Sequence, residues 1–509
     1  MSFLKNKPME RRDFLKTGGV AIAGAVLLPH LIESCAPNSR TKRMMNYFGV
    51  SESDLKRVVG TALERGGDYA DLFFEHTFGN HLSLQDGEVN QASSNIEYGM
   101  GVRVVKGDQT GYAYVENITL EEMLKAARTA SRIAQGGATM KAFDVTEKTF
   151  HNYYPVIRAW EKVSVTERRP YVQKLNDRCF ALSGKVSKVM ASLSDETSYT
   201  LFYNSEGSLC SDYKPMVSLS AYCIMEDNGR TENFRSTRSY RKGREFLTDG
   251  VIEEIAREAV EGAARMFLAV KPKGGELSVV MAAGGSGILL HEAIGHAFEA
   301  DFNRKNISIF SDMLGKKICD NNINIVDDGT IVGNRGSINF DDEGVMSQRT
   351  YIVTEGILTN YLHDRISAKH YGIASTGNGR RESFRHSPIP RMRCTYMENG
   401  ELSEEEIIAE VKNGIYAQNF TNGQVQIGAG DFTFFVKSGY LIENGKLTQP
   451  IKDVNIIGNG PKALVDVTMV ANNLTIDNGA WTCGKDGQGA PVTMGLPSVL
   501  VRKLTVGGS

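Results

Sequence analysis

An unbroken alternation of apolar and polar residues fixes the first commitment of this chain. Residues 69–117 read "YADLFFEHTFGNHLSLQDGEVNQASSNIEYGMGVRVVKGDQTGYAYVEN", broken only by glycine-containing turns. Successive side chains of a strand point to opposite faces, so this period of two predicts an antiparallel meander. Helical patterns flank it. Residues 53–64 have helical spacing with Ser53 near the N-cap. In "TLEEMLKAARTASRIAQ", Leu120, Met123, Leu124, Ala127 and Ile133 fall on one side. A second round follows: a helix over Val165 to Lys185, strand-rich sequence, then the amphipathic "TDGVIEEIAREAVEGAARMFLA". Two rounds of helix, strands and helix predict an N-terminal α+β half ending near residue 270.

The turn-rich "KPKGGE" links it to a different second half. There a strand, "LSVVMA", runs through "AGGSG" into "HEAIGHAFEAD" at residues 291–301. Strand, glycine turn and helix invite a nucleotide-binding reading, but neither phosphate-loop spacing occurs. A tight turn into a packed helix accounts better for Gly284, Gly285 and Gly287. Beyond Leu314 short apolar runs alternate with Gly/Asn/Asp turns, which predicts a curved or barrel-like sheet. One clear helix is expected there, "SEEEIIAEVKNGI", with Ser403 and Glu406 as a capping box. The fold class is therefore α+β: a helix and antiparallel-sheet half, then a strand-rich, barrel-like half carrying the site.

The chain is long enough, at 509 residues, for two or three domains with substantial cores. A net charge of -2 gives no basic face for nucleic acid. Seven cysteines, odd in number and scattered, do not form a disulfide framework. The N-terminus stands apart. Arg11 and Arg12 precede Phe14, Leu15 and Lys16, then an apolar run from Val20 to Leu28. That order predicts an export signal, and the arginine pair resembles the twin-arginine (Tat) type. Cys35 closes the segment. It is placed for lipid attachment and membrane anchoring, although Glu33 departs from the small-residue pattern such sites use. The expected divisions are 1–43, signal and linker; 44–270, the α+β domain; and 271–509, the domain with the site.

His291 and His296 stand five residues apart, not four as in the usual zinc-protease helix. On an ideal helix, residues five apart lie about 140° apart around the axis and cannot share one ion. A π-type i→i+5 turn would bring them together, and Gly295 is expected to supply the backbone freedom for it. Two imidazoles leave a catalytic zinc short of a third protein ligand. Candidates are Glu299 and Asp301 close by, and Cys483, His370 and His386 at a distance; spacing does not choose among them. Cys483 lies in the glycine-rich "NGAWTCGKDGQGAP", read as a loop.

Four stretches in order, "HEAIGHAFEADFNRK", "GNGRRESFRHSPIPRMR", "GAGDFTFFVKSGYLIENGKLTQPIKDV" and "WTCGKDGQG", resemble the TldD/PmbA family of zinc metallopeptidases, on its TldD side. The resemblance runs from about residue 46 to 506. It implies that His291, His296 and Cys483 bind Zn2+ and that Glu292 is the catalytic base. It also implies a TldE (PmbA-type) partner without the histidine motif, a second copy of the chain being the other candidate, and unfolded or short peptides as substrates. The export signal departs from the family pattern. Arg380, Arg381, Arg385, Arg391 and Arg393 are expected either to hold a peptide carboxylate or to form a solvated or partner-facing loop. Strand edges beside "GAGDFTFF" would suit an extended peptide. The competing class is an exported, zinc-stabilised scaffold that holds peptides without cutting them. Glu292 separates the two, since a scaffold needs the ligands but no general base beside them.

Overall fold

The computed structural model describes residues 37–134 and 143–508. The predicted signal, with Arg11, Arg12 and Cys35, lies outside the described residues.

In the first half, α1 (Pro37–Phe48) and α2 (Glu52–Leu63) lead into β1 (Tyr69–Gln85), β2 (Glu88–Lys106), β3 (Gln109–Val115) and α3 (Leu120–Ala130). The second round is α4 (Val165–Leu182), β4 (Val186–Asn204), β5 (Ser208–Asp227), β6 (Arg230–Tyr240) and α5 (Asp249–Met266). The strands lie side by side in the order β3-β2-β1-β4-β5-β6, every neighbour antiparallel. Alternation decides the faces. Leu72, Phe74 and Leu82 of β1 share one face with Leu193, Leu201 and Tyr203 of β4. That face is buried under α2 and α3 at one end and under α4 and α5 at the other. Two boundaries differ from expectation. The cap of α2 is Ser51, whose hydroxyl accepts from Asp54 N at 3.2 Å while the Asp54 carboxylate takes Ser51 N at 2.9 Å. An aspartate three residues on completes the box for Ser51, whereas Ser53 has no such partner. Helix α4 stops at Leu182 because Ser183 is already extended, at φ -158.

In the second half, β7 (Gly275–Met281) pairs in parallel with β8 (Asn413–Gln426), which continues antiparallel through β9 (Asp431–Glu443) and β10 (Lys446–Asn459). A hairpin of β11 (Thr482–Lys485) and β12 (Gln488–Pro491) precedes the last strand, β13 (Val499–Gly508). That strand pairs with β7 on one side and β10 on the other. The ring β7-β8-β9-β10-β13 therefore closes, which leaves this sheet without a continuous open edge. The capping box of Ser403 and Glu406 forms as expected. Two helices were not anticipated, Arg365–Tyr371 and Gly460–Val465. Each spans two turns at most, too short for an apolar period to register in the sequence.

The other face of the first sheet meets the second half through a small apolar cluster, Phe73 and Phe202 with Phe340 and Phe384, set among buried charges. Arg103 and Asp71 are fully buried there. Arg103 bonds Asp71 through Nε at 2.8 Å and Glu343 through Nη1 at 2.6 Å. Lys214 of β5 pairs with Asp342 at 2.8 Å, and Glu75 of β1 accepts from Phe384 N at 2.7 Å. Burial pushes the Glu75 carboxyl up to about 7, against the pull of the Thr77 and Phe384 donors. Removing one partner of such a buried pair strands the other's charge. Arg103→Ala should therefore lower stability by about 3–5 kcal/mol. Arg385→Ala, which breaks partly exposed pairs with Glu97 and Glu116, should cost less than about 1 kcal/mol. Urea midpoints of the full chain check both, and equal losses would contradict the ionic seam.

Candidate metal centre

Strand β7 delivers the chain to the site. After Met281 a turn with Gly284 at φ 94 swings it into a π-helical turn over Leu289–Gly295, followed by a short 3-10 turn. The N–H of His296 bonds the carbonyl of His291, the i→i+5 link that the spacing required. The two rings come within 5.1 Å, centroid to centroid, at 80°. Gly295 is needed for a different reason than expected. Its φ of -59 and ψ of -50 are ordinary helical values. What it supplies is space, because a Cβ there would strike Met392 Sδ and the Leu290 carbonyl.

Cys483 completes the set. One donor atom each from His291, His296 and Cys483 lies within 4.8 Å of the others, and all three residues are buried. Cys483 Sγ stands 3.3 Å from His296 Nε2. The cysteine sits on strand β11, not in a loop. Asp486 and Gly487 both have positive φ and close a two-residue hairpin to β12. Burial opposes ionisation of the thiol, yet the adjacent imidazoles of His291 and His296 hold it well below the usual thiol range. Burial likewise opposes charge on His296, and Glu299 with the thiolate outweighs it, raising the ring well above its ordinary value. Among the described residues His291 Nδ1 is a buried atom without a hydrogen-bond partner. Three converging soft or borderline donors, two imidazoles and a thiol, fit a divalent metal ion.

Glu292 is half-buried beside the set. Burial raises its carboxyl first of all; the two imidazoles pull it down, and Cys483 and Glu299 add to the rise. Space for it is kept by Gly423 of β8, where a Cβ would lie 3.0 Å from Glu292 Cγ and 2.8 Å from Phe434 Cδ1. Strand β8 is also where the open edge lies. Pairing with β7 ends at Ala417, so, among the described residues, 418–426 carry a strand partner on one side only. The "DFTFF" strand itself, β9, is paired on both sides.

The other candidate ligands are occupied elsewhere. Glu299 Oε2 holds His296 Nδ1 at 3.0 Å and Lys485 Nζ at 3.0 Å, and Lys485 reaches Asp301 at 2.7 Å. Despite full burial, Lys485 and His296 bring the Glu299 carboxyl down to about 2. Glu299 thus fixes the ring's orientation from outside the donor set, and Lys485, two residues after Cys483, ties the thiolate's strand to it. Lys485 escaped the sequence reading, although the Asp-Gly pair that makes its strand a hairpin was visible. His370 is exposed and His386 bonds Ser383 Oγ, so neither joins the set. Both expectations for the arginines are corrected. Arg380 donates to the carbonyls of Met392 and Pro491, and Arg391 to those of Cys483 and Gln488. Arg381 bonds the Asp342 carbonyl and Arg393 pairs with Asp327. Arg385 holds Glu97 and Glu116. Four of the five are buried braces, two of them gripping the thiolate hairpin.

Along most of its length the chain is similar to known metallopeptidases. Three family models match in order: PmbA/TldA metallopeptidase domain 1 over residues 70–134, the central domain over 158–267, and the C-terminal domain over 274–508. The Haemophilus influenzae protein named metalloprotease TldD homolog is 37% identical over 481 residues, 93% of this chain and 99% of its own length. A Methanothermobacter thermautotrophicus metalloprotease is 32% identical over 87% of this chain and 96% of its own. Among solved structures, TldE from Thermococcus kodakarensis superposes with a TM-score of 0.69 at 18% identity, covering 89% of this chain and 100% of that one.

If the three residues form one donor set, Cys483→Ala should strip most of the bound metal from the purified protein. Cys319→Ala and Cys394→Ala, which alter buried thiols elsewhere, should leave metal content unchanged. Elemental analysis after dialysis decides; full retention by Cys483→Ala would remove the thiol from the set.

Proposed function

This chain belongs to the TldD/PmbA metallopeptidase family, and on that premise we propose that it is the motif-bearing, TldD-type subunit of a zinc-dependent peptidase acting on unfolded or short peptides. The observation that carries the reading is the convergence of His291, His296 and Cys483 with the half-buried Glu292 beside an open strand edge. Imidazole and thiolate favour zinc over magnesium or calcium, which take oxygen ligands. When bound, zinc supplies Lewis-acid polarisation of a peptide carbonyl and lowers the cost of removing a proton from water.

The residues supply the rest. Glu292 takes the water's proton on its carboxylate and returns it to the leaving amine, a role suited to a carboxyl raised by burial. Glu299 and Lys485 keep His296 oriented throughout. Backbone groups of residues 418–426 offer hydrogen bonds to a peptide laid along β8, which selects an extended chain without reading its side chains. A folded substrate could not present such a strand, and this favours unfolded peptides.

Glu292→Gln should keep metal and fold and reduce cleavage of mixed unfolded peptides by at least about a hundredfold, within the range a general base contributes. Wild-type cleavage should also stop on chelation and return with zinc. Near-normal turnover by pure Glu292→Gln protein would end the assignment.

We further propose that the mature chain works outside the cytoplasm after Tat-type export, paired with a TldE-type subunit. Arg11 and Arg12 ahead of the apolar run support the first, and the shared fold with a TldE chain supports the second. Export of a folded protein would let the metal bind before transport, which suits ligands about 190 residues apart. Cell fractionation and affinity capture of the native chain and of an Arg11→Lys, Arg12→Lys double variant check both. The native chain should leave the cytoplasm with a similar-sized partner, and the variant should stay behind. Retention of both would refute export, and capture of the active chain alone would refute pairing.

A further inference from the structure

Four guanidinium groups crowd the space between the first sheet and the thiolate hairpin. Arg380 and Arg391 grip the hairpin from one side, as described. Arg335 holds it from the other, through Nε to the Trp481 carbonyl at 3.0 Å, Nη2 to Thr482 Oγ1 at 3.2 Å and Nη1 to Ser239 Oγ at 2.8 Å. Arg241 lies in the bend directly after β6, two residues beyond Ser239, and its charge acts on both Arg335 and Arg380. Their relative exposures are 5% for Arg241, 8% for Arg335, 4% for Arg380 and 0% for Arg391. Among the described residues none of the four forms an ion pair, although buried charge normally demands one. The crowding shows in their acidity: burial foremost, with the charge of Arg241 next, lowers Arg335 to about 10 and Arg380 to about 9.

The terminal nitrogens of Arg380 and Arg391, and all three nitrogens of Arg335, donate to carbonyl or hydroxyl oxygens, with Arg391 Nε left unpartnered among the described residues. Arg241 differs. It stacks over the Tyr154 ring at 5.3 Å and donates no side-chain hydrogen bond to the described protein. Its Nε is sealed and unpartnered, while its terminal nitrogens border accessible space. Glu196, opposite Met216 in the adjoining strand pair, is drawn electrostatically to Arg241 and Arg335 without closing an ion pair with either. A guanidinium held over a ring, with its terminal nitrogens free of hydrogen-bond partners among the described residues, suits a planar bidentate anion. We propose that Arg241 anchors a carboxylate of the peptide substrate, either the C-terminal carboxylate or an acidic side chain, beside the hairpin that carries Cys483. Carboxylate recognition, expected of the 380–393 arginines, would thus fall to a residue of the first half. The inference builds on the peptidase reading but concerns binding, and the two can fail separately.

The test uses the full-length, zinc-loaded Glu292→Gln protein and three fluorescent peptides of one sequence without other acids. One has a free C-terminus, one is amidated, and one is amidated with a single internal Glu. Anisotropy should show the free-carboxylate peptide binding about tenfold more tightly than its amidated twin, the scale of one charge-assisted contact. Arg241→Gln should bring that ratio to about one, and Arg241→Lys should retain part of it. Recovery of tight binding by the internal Glu would identify a side-chain carboxylate as a ligand; recovery only by the free C-terminus would identify the terminal group. Because each ratio is measured on one protein, partial loss of fold does not imitate the effect. Equal binding of all three peptides, or a preference that survives Arg241→Gln, would overturn the proposal. Preference without any hydrolysis by wild-type protein would leave Arg241 in place and remove the peptidase reading instead.

Discussion

One backbone hydrogen bond, from His296 N–H to His291 carbonyl, decides whether this chain has a site at all. In a regular helix the two imidazoles would diverge by about 140°; wound as a π turn, they face the same thiol. Such a turn has poorer intrinsic stability than an α-helical one, so its surroundings must hold it. Leu289, Leu290, Ala293 and Ile294 are buried in the main core of the second half, and Met392 fills the space that a side chain at position 295 would need.

The thiolate arrives by a separate route, which places a second demand on the fold. Strand β11 carries Cys483 and Lys485 on one face, and Lys485 bonds the carboxylate that orients His296. The thiol of the donor set and a lysine bonded to the carboxylate that orients another donor are thereby joined through one short hairpin. Arg335, Arg380 and Arg391 hold that hairpin by its carbonyls and a hydroxyl, not by carboxylates. Positive charge around the hairpin favours a thiolate over a thiol, so the braces also suit the chemistry. With Arg103, Asp71 and Glu343 joining the halves, the molecule spends an unusual share of buried charge on positioning.

Much of the architecture was legible because it depends on local pattern. Alternation from residue 69 to 117 set the meander and its faces, and amphipathic spacing found α3 and α5. Where reading failed, the signal was short or ambiguous. Helices of six or seven residues carry no measurable period. Ser51 and Ser53 both looked like caps, and only the Asp54 carboxylate chose between them. The hairpin around Cys483 was read as a loop because glycines obscured the Asp-Gly turn between two four-residue strands. The 380–393 arginines were misplaced for another reason: charge implies exposure unless partners are known, and their hydrogen-bond partners lie up to 288 residues away.

The sequence by itself determined the α+β class, the two-part order, the need for a helical irregularity between His291 and His296, and the carboxylate of Glu292 beside them. These follow from spacing along the chain, which local geometry converts directly into direction. Only the tertiary structure brought Cys483 to His296, placed Glu299 against the far nitrogen of His296, made Gly295 and Gly423 matters of space, and left Arg241 without an ion pair among the described residues. Each of those depends on which distant segments share a few cubic ångströms. That is settled by packing and by the pairing of buried charge, which no period in the sequence records.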